Sequence, residues 1–143
     1  MKLLSNWQIY ALGSAFFAGL TVLFGKIGVM NINSNLATFI RTIVIIAMIA
    51  GILCVRHEWQ KPQTIDAKTW AFLILSGIAT GLSWLCYYRA IQIGPISKVA
   101  PVDKLSVALA ILFGIMFLGE KLTWQVILGG GLVLLGAIIT ATS

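Results

Sequence analysis

Charged residues are scarce in this sequence. They make up 10% of its 143 residues, against about 25% in an ordinary soluble domain. A soluble fold needs a charged, hydrated surface, and a disordered chain combines low hydrophobicity with high net charge. With 59% hydrophobic residues, the sequence fits neither class. Its length allows one domain with about five or six membrane-spanning helices.

Residues that commonly perform catalysis or bind metals are also few. His57 is the single histidine, and Cys54 and Cys86 lie apart within apolar stretches. The pattern contains no metal-ligand spacing and no disulfide framework, and the apolar stretches contain no paired carboxylates. We therefore expect no enzyme activity, no metal and no cofactor. The ten Lys and Arg are dispersed singly, which argues against a nucleic-acid partner.

Long apolar stretches occupy most of the chain. They cover residues 7–30, 36–55, 69–93, 99–118 and 124–141. At about 1.5 Å per residue, each can cross a hydrocarbon core of about 30 Å. They are apolar on all sides and lack the alternation of a membrane β-barrel. The sequence predicts an all-α integral membrane protein with five transmembrane helices in the lipid bilayer, forming a single domain over residues 1–143.

The first stretch has a second interpretation, because Lys2 precedes an apolar run as in a signal peptide. The run is too long for the apolar part of a signal peptide, and no Ala-x-Ala cleavage site follows it. A retained helix is therefore favoured.

The loop charges favour one orientation in the membrane only weakly. If the helices alternate, five cations lie on one side, and the positive-inside rule places that side and the N-terminus in the cytoplasm. Five other cations lie toward the opposite side, and the rule counts charges within about 15–20 residues of the helix ends. The balanced tally leaves insertion in both orientations open. The cytoplasmic group is Lys2, Arg56, Lys61, Lys68 and Lys121.

The second group of cations lies within or at the ends of the predicted spans. At about 1.5 Å per residue, four of them fall about 6–8 Å below the outer end of a span, and Asp103 shares their level. Snorkelling of long side chains toward water explains Lys26, Arg89 and Lys98 taken singly. Asp103 has a short side chain, so a functional role is favoured for it, for Lys104 and for Arg41. The group comprises Lys26, Arg41, Arg89, Lys98 and Lys104.

The fourth apolar stretch has two prolines near its start, Pro95 and Pro101. Either the helix runs from residue 96 through Pro101, leaving the carbonyl of Ser97 without its helical donor, or it begins at Pro101. Interrupted helices beside wet cavities recur in transporters. In both cases a helix N-terminus directs partial positive charge toward the cations. This level therefore suits an anionic group such as a carboxylate or a phosphate.

Aromatic and small residues complete the pattern. Trp84 and Tyr88 lie four residues apart on one helical face, just before Arg89. They either line a cavity and contact the organic part of a ligand, or anchor and pack the helix. Gly129 and Gly136 share one face of the last helix, which makes them a candidate contact between two copies of the chain.

At these residues the sequence resembles the EamA family of the drug/metabolite transporter superfamily. The resemblance covers essentially the whole chain. Its most specific segments are residues 97–106, Ser-Lys-Val-Ala-Pro-Val-Asp-Lys-Leu-Ser, and residues 117–123, Phe-Leu-Gly-Glu-Lys-Leu-Thr, followed by the Gly-rich last helix. Arg41 fits the family pattern, and the dipeptide Asp103-Lys104 is typical of short members.

Longer members of that family carry two five-helix units in opposite orientations, and this chain has one. The resemblance therefore implies half of the ten-helix fold. It also implies export or exchange of small metabolites across the bacterial inner membrane, with a cavity between two units. A lone unit reproduces that cavity only as an antiparallel homodimer, which the balanced charge tally permits.

Together these observations predict a secondary transporter that acts as a homodimer with a central cavity. The solute is a small organic molecule, anionic or zwitterionic, and Asp103 is the proton or ion-pair switch. The alternative is a non-transporting membrane subunit, or half of a heteromeric transporter or lipid flippase. The predicted substrate-binding residues are Lys26, Arg41, Trp84, Tyr88, Arg89, Asp103 and Lys104.

Overall fold

The computed structural model describes residues 6–142 as helices joined by short links. Lys2, one of the cations in the predicted cytoplasmic group, lies outside the described residues. A 3₁₀ turn, Pro62–Thr64, precedes the third helix. The helices are α1 Asn6–Val29, α2 Ser34–Arg56, α3 Ala67–Ile93, α4 Ile96–Asp103, α5 Leu105–Leu118 and α6 Trp124–Thr142.

Within the described residues there are five spans long and apolar enough to cross a membrane, and α4 with α5 forms the fourth, Ile96–Leu118. Most of their large apolar side chains are exposed on the isolated chain, including Phe17, Phe39 and Phe117. In a membrane such surfaces face lipid tails or another chain. The predicted all-α membrane protein with five transmembrane helices is confirmed.

The helices α2 and α3 each begin two residues before their apolar runs, because polar capping residues lie outside those runs. At α2, the side-chain oxygen of Asn33 accepts hydrogen bonds from the N–H of Asn35 at 2.8 Å and of Leu36 at 3.4 Å. At α3, the Asp66 carboxylate accepts from the Thr69 hydroxyl at 2.5 Å and the Thr69 N–H at 3.1 Å. The hydroxyl bond, then the N–H bond, lowers the pKa of Asp66. This cap therefore persists at neutral pH and weakens only in acid.

The chain divides into two compact units. The central unit is Phe24–Gln92, and the flanking unit combines the described residues up to Leu23 with those from Ile93 to Thr142. The core of the central unit is small, and Val29 and Ile91 are its fully buried large side chains.

Polar side chains join the C-terminal ends of α1 and α3 within the central unit. Lys26 Nζ donates to the carbonyl of Ile91 at 2.5 Å. In return, Gln92 Nε2 donates to the carbonyls of Val29 at 3.0 Å and Ile32 at 2.8 Å. The last carbonyls of a helix have no donor within the helix, and they attract cations. Each helix therefore supplies a donor for the end of the other.

In the flanking unit, α4 and α5 pack against α6. A Cβ atom at Gly130 would lie 2.8 Å from Ile111 Cδ1, so α6 approaches α5 closely there. Ala137, on the same face of α6, is buried. Gly129 and Gly136 are exposed, and no described atom lies within 4 Å of a Cβ placed on either. Their predicted contact with a second copy stays a prediction.

Candidate functional site

An arginine is held against two aromatic rings inside the central unit. The guanidinium carbon of Arg41, on α2, lies 4.1 Å from the ring centroid of Trp84 and 5.4 Å from that of Tyr88, both on α3. Cation–π attraction acts within about 6 Å, so both rings stabilise the charge. Because Trp84 and Tyr88 are four residues apart in a helix, their rings lie on the same face.

The charge of Arg41 has no acidic partner among the described residues. Glu58 pairs with Arg56 at 3.2 Å and Asp103 pairs with Lys104 at 3.3 Å. Arg41 is half-buried within a span, where a charge is costly without compensation. The two rings supply part of that compensation, and the guanidinium N–H donors remain available to a carboxylate or phosphate, which Arg binds in bidentate fashion.

The position of Tyr88 depends on a glycine in α1. A Cβ on Gly25 would lie 3.0 Å from the Tyr88 hydroxyl, 3.3 Å from its Cζ and 3.5 Å from Ile91 Cδ1. Tyr88 is 4% exposed, so its ring is fixed by packing, whereas Trp84 is only half-buried. This arrangement makes Tyr88 a support for Arg41 and leaves Trp84 as the ring that a ligand can reach.

Gly25→Val is expected to lower the stability of the purified protein by about 1–3 kcal/mol, because the new side chain overlaps Tyr88. Gly28→Val is the matched control on the same helix, since no described atom lies within 4 Å of a Cβ there. Unfolding in a denaturing detergent series measures both variants. Equal losses of stability would contradict the close packing of Gly25 against Tyr88.

The other two predicted substrate-binding cations of the central unit, Lys26 and Arg89, take part in joining helix ends. Arg89 donates from Nη1 to Gln92 Oε1 at 2.8 Å, and that amide also bonds the end of α1. Lys26 bonds the carbonyl of Ile91 at the end of α3. Substrate binding by Lys26 and Arg89 stays a prediction, and their contacts give both residues a structural role.

Sequence reasoning missed Gln92. A neutral amide at the end of an apolar run has no charge to mark it, and its two carbonyl partners lie 60 or more residues away. Its position in the last turn of α3, next to Arg89, was the available signal.

The remaining predicted residues, Asp103 and Lys104, form an ion pair in the flanking unit. Lys104 Nζ lies 3.3 Å from Asp103 Oδ2, and the side chains are 55% and 36% exposed, respectively. A pair that solvent or a ligand can reach is weakly held. It can therefore open without a large cost.

The fourth span is interrupted at this ion pair. The hypothesis that its helix begins at Pro101 is wrong, because α4 starts at Ile96 and continues through Pro101. The N–H of Lys104 donates to Pro101 and the N–H of Val107 donates to Lys104, both at 3.0 Å and each to the residue three positions back. An α-helix bonds the residue four positions back, so the chain tightens into a 3₁₀-like turn there. Such interruptions often mark hinges.

A charged arginine held within a span and an ion pair at a helix interruption are features of multi-pass membrane transport proteins. The comparisons with known proteins identify the family. The chain belongs to the EamA-like transporter family, whose model matches residues 5–142. It is a membrane transporter, as the resemblance predicted.

Two relatives support this assignment. An uncharacterized transporter in the cobO 3′ region of Sinorhizobium sp is 51% identical over 136 residues, which are 95% of this chain and 96% of the relative. An uncharacterized protein of Methanocaldococcus jannaschii is 28% identical over 102 residues, 70% of this chain and 74% of that protein. No solved structure matches the chain.

Proposed function

We propose that this protein is a secondary transporter that exports or exchanges a small organic metabolite with an anionic group, an organic acid or a zwitterion. The main support is the placement of Arg41, a cation in a membrane span with two aromatic partners and no acidic partner among the described residues. A carboxylate offers a guanidinium two charge-assisted hydrogen bonds, which aromatic rings cannot provide.

Trp84 contacts the organic part of the solute in this proposal. It is only half-buried and already lies 4.1 Å from the Arg41 guanidinium carbon, so a solute bound to Arg41 reaches the ring. The buried ring of Tyr88 is a second fixed contact of the guanidinium, at 5.4 Å. The aromatic pair thus positions Arg41 before the solute arrives, which lowers the entropic cost of binding.

Asp103 and Lys104 couple solute movement to a proton or ion in our proposal. Protonation of Asp103, or arrival of a solute anion at Lys104, removes the attraction across their 3.3 Å pair. Because the pair lies at the 3₁₀-like turn of the fourth span, opening it releases α4 and α5 to change their relative angle. Alternating access requires a bistable element of this kind.

The transporting species is a homodimer with a central cavity in the bacterial inner membrane. One five-helix unit is half of the two-unit arrangement of longer family members, and the balanced charge tally allows two copies to insert in opposite orientations. The N-terminus of the copy with the favoured orientation is cytoplasmic. The exposed face of Gly129 and Gly136 lets a second helix approach closely.

A thermal-shift screen of the purified protein tests the solute class. We expect organic anions and zwitterions to raise the melting temperature, since binding at about 100 times Kd adds about 2.7 kcal/mol of stability. The methyl ester of the best carboxylate serves as the matched control and should not stabilise. Stabilisation by cationic amines alone, or by the ester as strongly as the acid, would contradict an anion site at Arg41.

A further inference from the structure

An apolar groove runs along α5 in the flanking unit. Its volume is about 570 Å³, and it is lined by seven residues from Val107 to Leu118 together with Glu120. The volume lies within the range of about 300–1,000 Å³ that is usual for ligand sites. Phe113 is 51% exposed and Phe117 76%, so the groove opens on the surroundings of the span. In a membrane those surroundings are acyl chains.

A tight turn places a carboxylate at one end of the groove. Gly119 adopts the left-handed conformation, with φ 67°, and folds the chain back so that the Glu120 N–H donates to the Gly114 carbonyl at 3.2 Å. Glu120 Oε2 then lies 2.8 Å from where a Cβ of Gly114 would be. The missing side chain at Gly114 therefore provides the space that the carboxylate occupies.

This carboxylate lacks the partner that the other acids have. Glu58 and Asp103 pair with neighbouring cations, and Asp66 caps α3 through Thr69. Within residues 6–142, Glu120 has no cation within ion-pair distance. It follows directly on the end of a span, at the level of lipid headgroups, where a negative charge attracts an ammonium group.

We propose that the groove binds one acyl chain of a phospholipid whose headgroup carries a primary amine, as in phosphatidylethanolamine, with its ammonium donating to Glu120. A primary amine provides hydrogen bonds that the quaternary ammonium of phosphatidylcholine lacks. Lys121, the next residue, supplies a cation at the same level for the lipid phosphate. The groove binds the acyl chain, and the adjacent residues Glu120 and Lys121 bind the ammonium and the phosphate of the zwitterionic headgroup.

Lipid titration of the delipidated, purified protein tests this proposal, with bound lipids counted by native mass spectrometry. Dioleoyl phosphatidylethanolamine should bind at least about tenfold more tightly than dioleoyl phosphatidylcholine or phosphatidylglycerol, the effect of one charged hydrogen bond. In Glu120→Gln this preference should disappear while the affinity for phosphatidylcholine stays unchanged. Ala110→Trp, which places a bulky ring in the groove, should weaken binding of all three lipids at this site.

Glu58→Gln is the matched control, because it removes an acid that already pairs with Arg56 outside the groove. Equal affinities for the three lipids, or an unchanged preference in Glu120→Gln, would overturn the proposal. So would occupation of the groove by a second copy: Ala110→Trp would then reduce the amount of dimer in the same native mass spectra. With a lipid in the groove, Ala110→Trp should leave the oligomeric state unchanged.

Discussion

Arg41→Gln is expected to abolish solute-dependent stabilisation and transport while the protein still inserts and folds. Two charge-assisted hydrogen bonds contribute about 1.5–3 kcal/mol each, so affinity for the solute should fall at least about 100-fold. The loss of two cation–π contacts lowers intrinsic stability by about 1–2 kcal/mol at most, because glutamine also relieves the burial of a charge. Binding by thermal shift and uptake into proteoliposomes measure the two effects separately.

Arg41→Lys and Arg56→Gln are the controls for this experiment. Lysine keeps the charge but not the bidentate geometry, so it should retain weak binding, intermediate between wild type and Arg41→Gln. Arg56 is an exposed arginine on the same helix, paired with Glu58, and its replacement should leave binding and transport unchanged. Wild-type affinity in Arg41→Gln would exclude Arg41 from the solute site.

The second large effect is expected at the interruption of the fourth span. Asp103→Asn keeps the shape of the side chain but removes its charge and its ability to exchange a proton. Lys104→Ala removes the other half of the pair. Both variants should lose at least about 100-fold in coupled uptake or efflux, because neither can open and close the ion pair during the cycle.

Insertion and folding should survive both substitutions, since the pair is partly exposed and contributes about 1 kcal/mol or less. Lys98→Ala is the matched control, because it removes an exposed cation from the same helix without touching the pair. Wild-type transport rates in Asp103→Asn and Lys104→Ala, in the same proteoliposomes, would refute their role in coupling.

The helices could be predicted from the sequence because membrane spans depend on run length and apolarity, which are local properties. The predicted first residues of the helices were less accurate where an N-terminal capping residue determines where the helix begins. Asn33 and Asp66 are polar residues outside the apolar runs, and their side chains extend α2 and α3 by two residues each relative to the prediction. The sequence did not decide whether the helix begins before Pro101 or at it, and the reason is different. A missing N–H costs a helix one bond, and neighbouring turns can tighten to accommodate it.

The sequence indicated which residues belong to the candidate site, but not which of them contact one another. Unusual charges in apolar runs identified Arg41, Asp103 and Lys104, but the sequence could not show which ring faces Arg41. That depends on the register of α2 against α3. It also depends on the packing of α1 against α3, where the missing side chain of Gly25 leaves room for Tyr88. The role of Gln92 depends on the same non-local packing. Hydropathy is a local property of the sequence, and it does not predict tertiary contacts between distant segments.

Solute counterflow in proteoliposomes tests the central claim most directly. Vesicles containing the purified protein are loaded with the unlabelled solute that gave the largest thermal shift, and labelled solute is added outside. A transporter with its anion site at Arg41 accumulates the label transiently above equilibrium, and Arg41→Gln vesicles do not. Absence of counterflow with every stabilising solute, or equal counterflow with Arg41→Gln, would contradict the account.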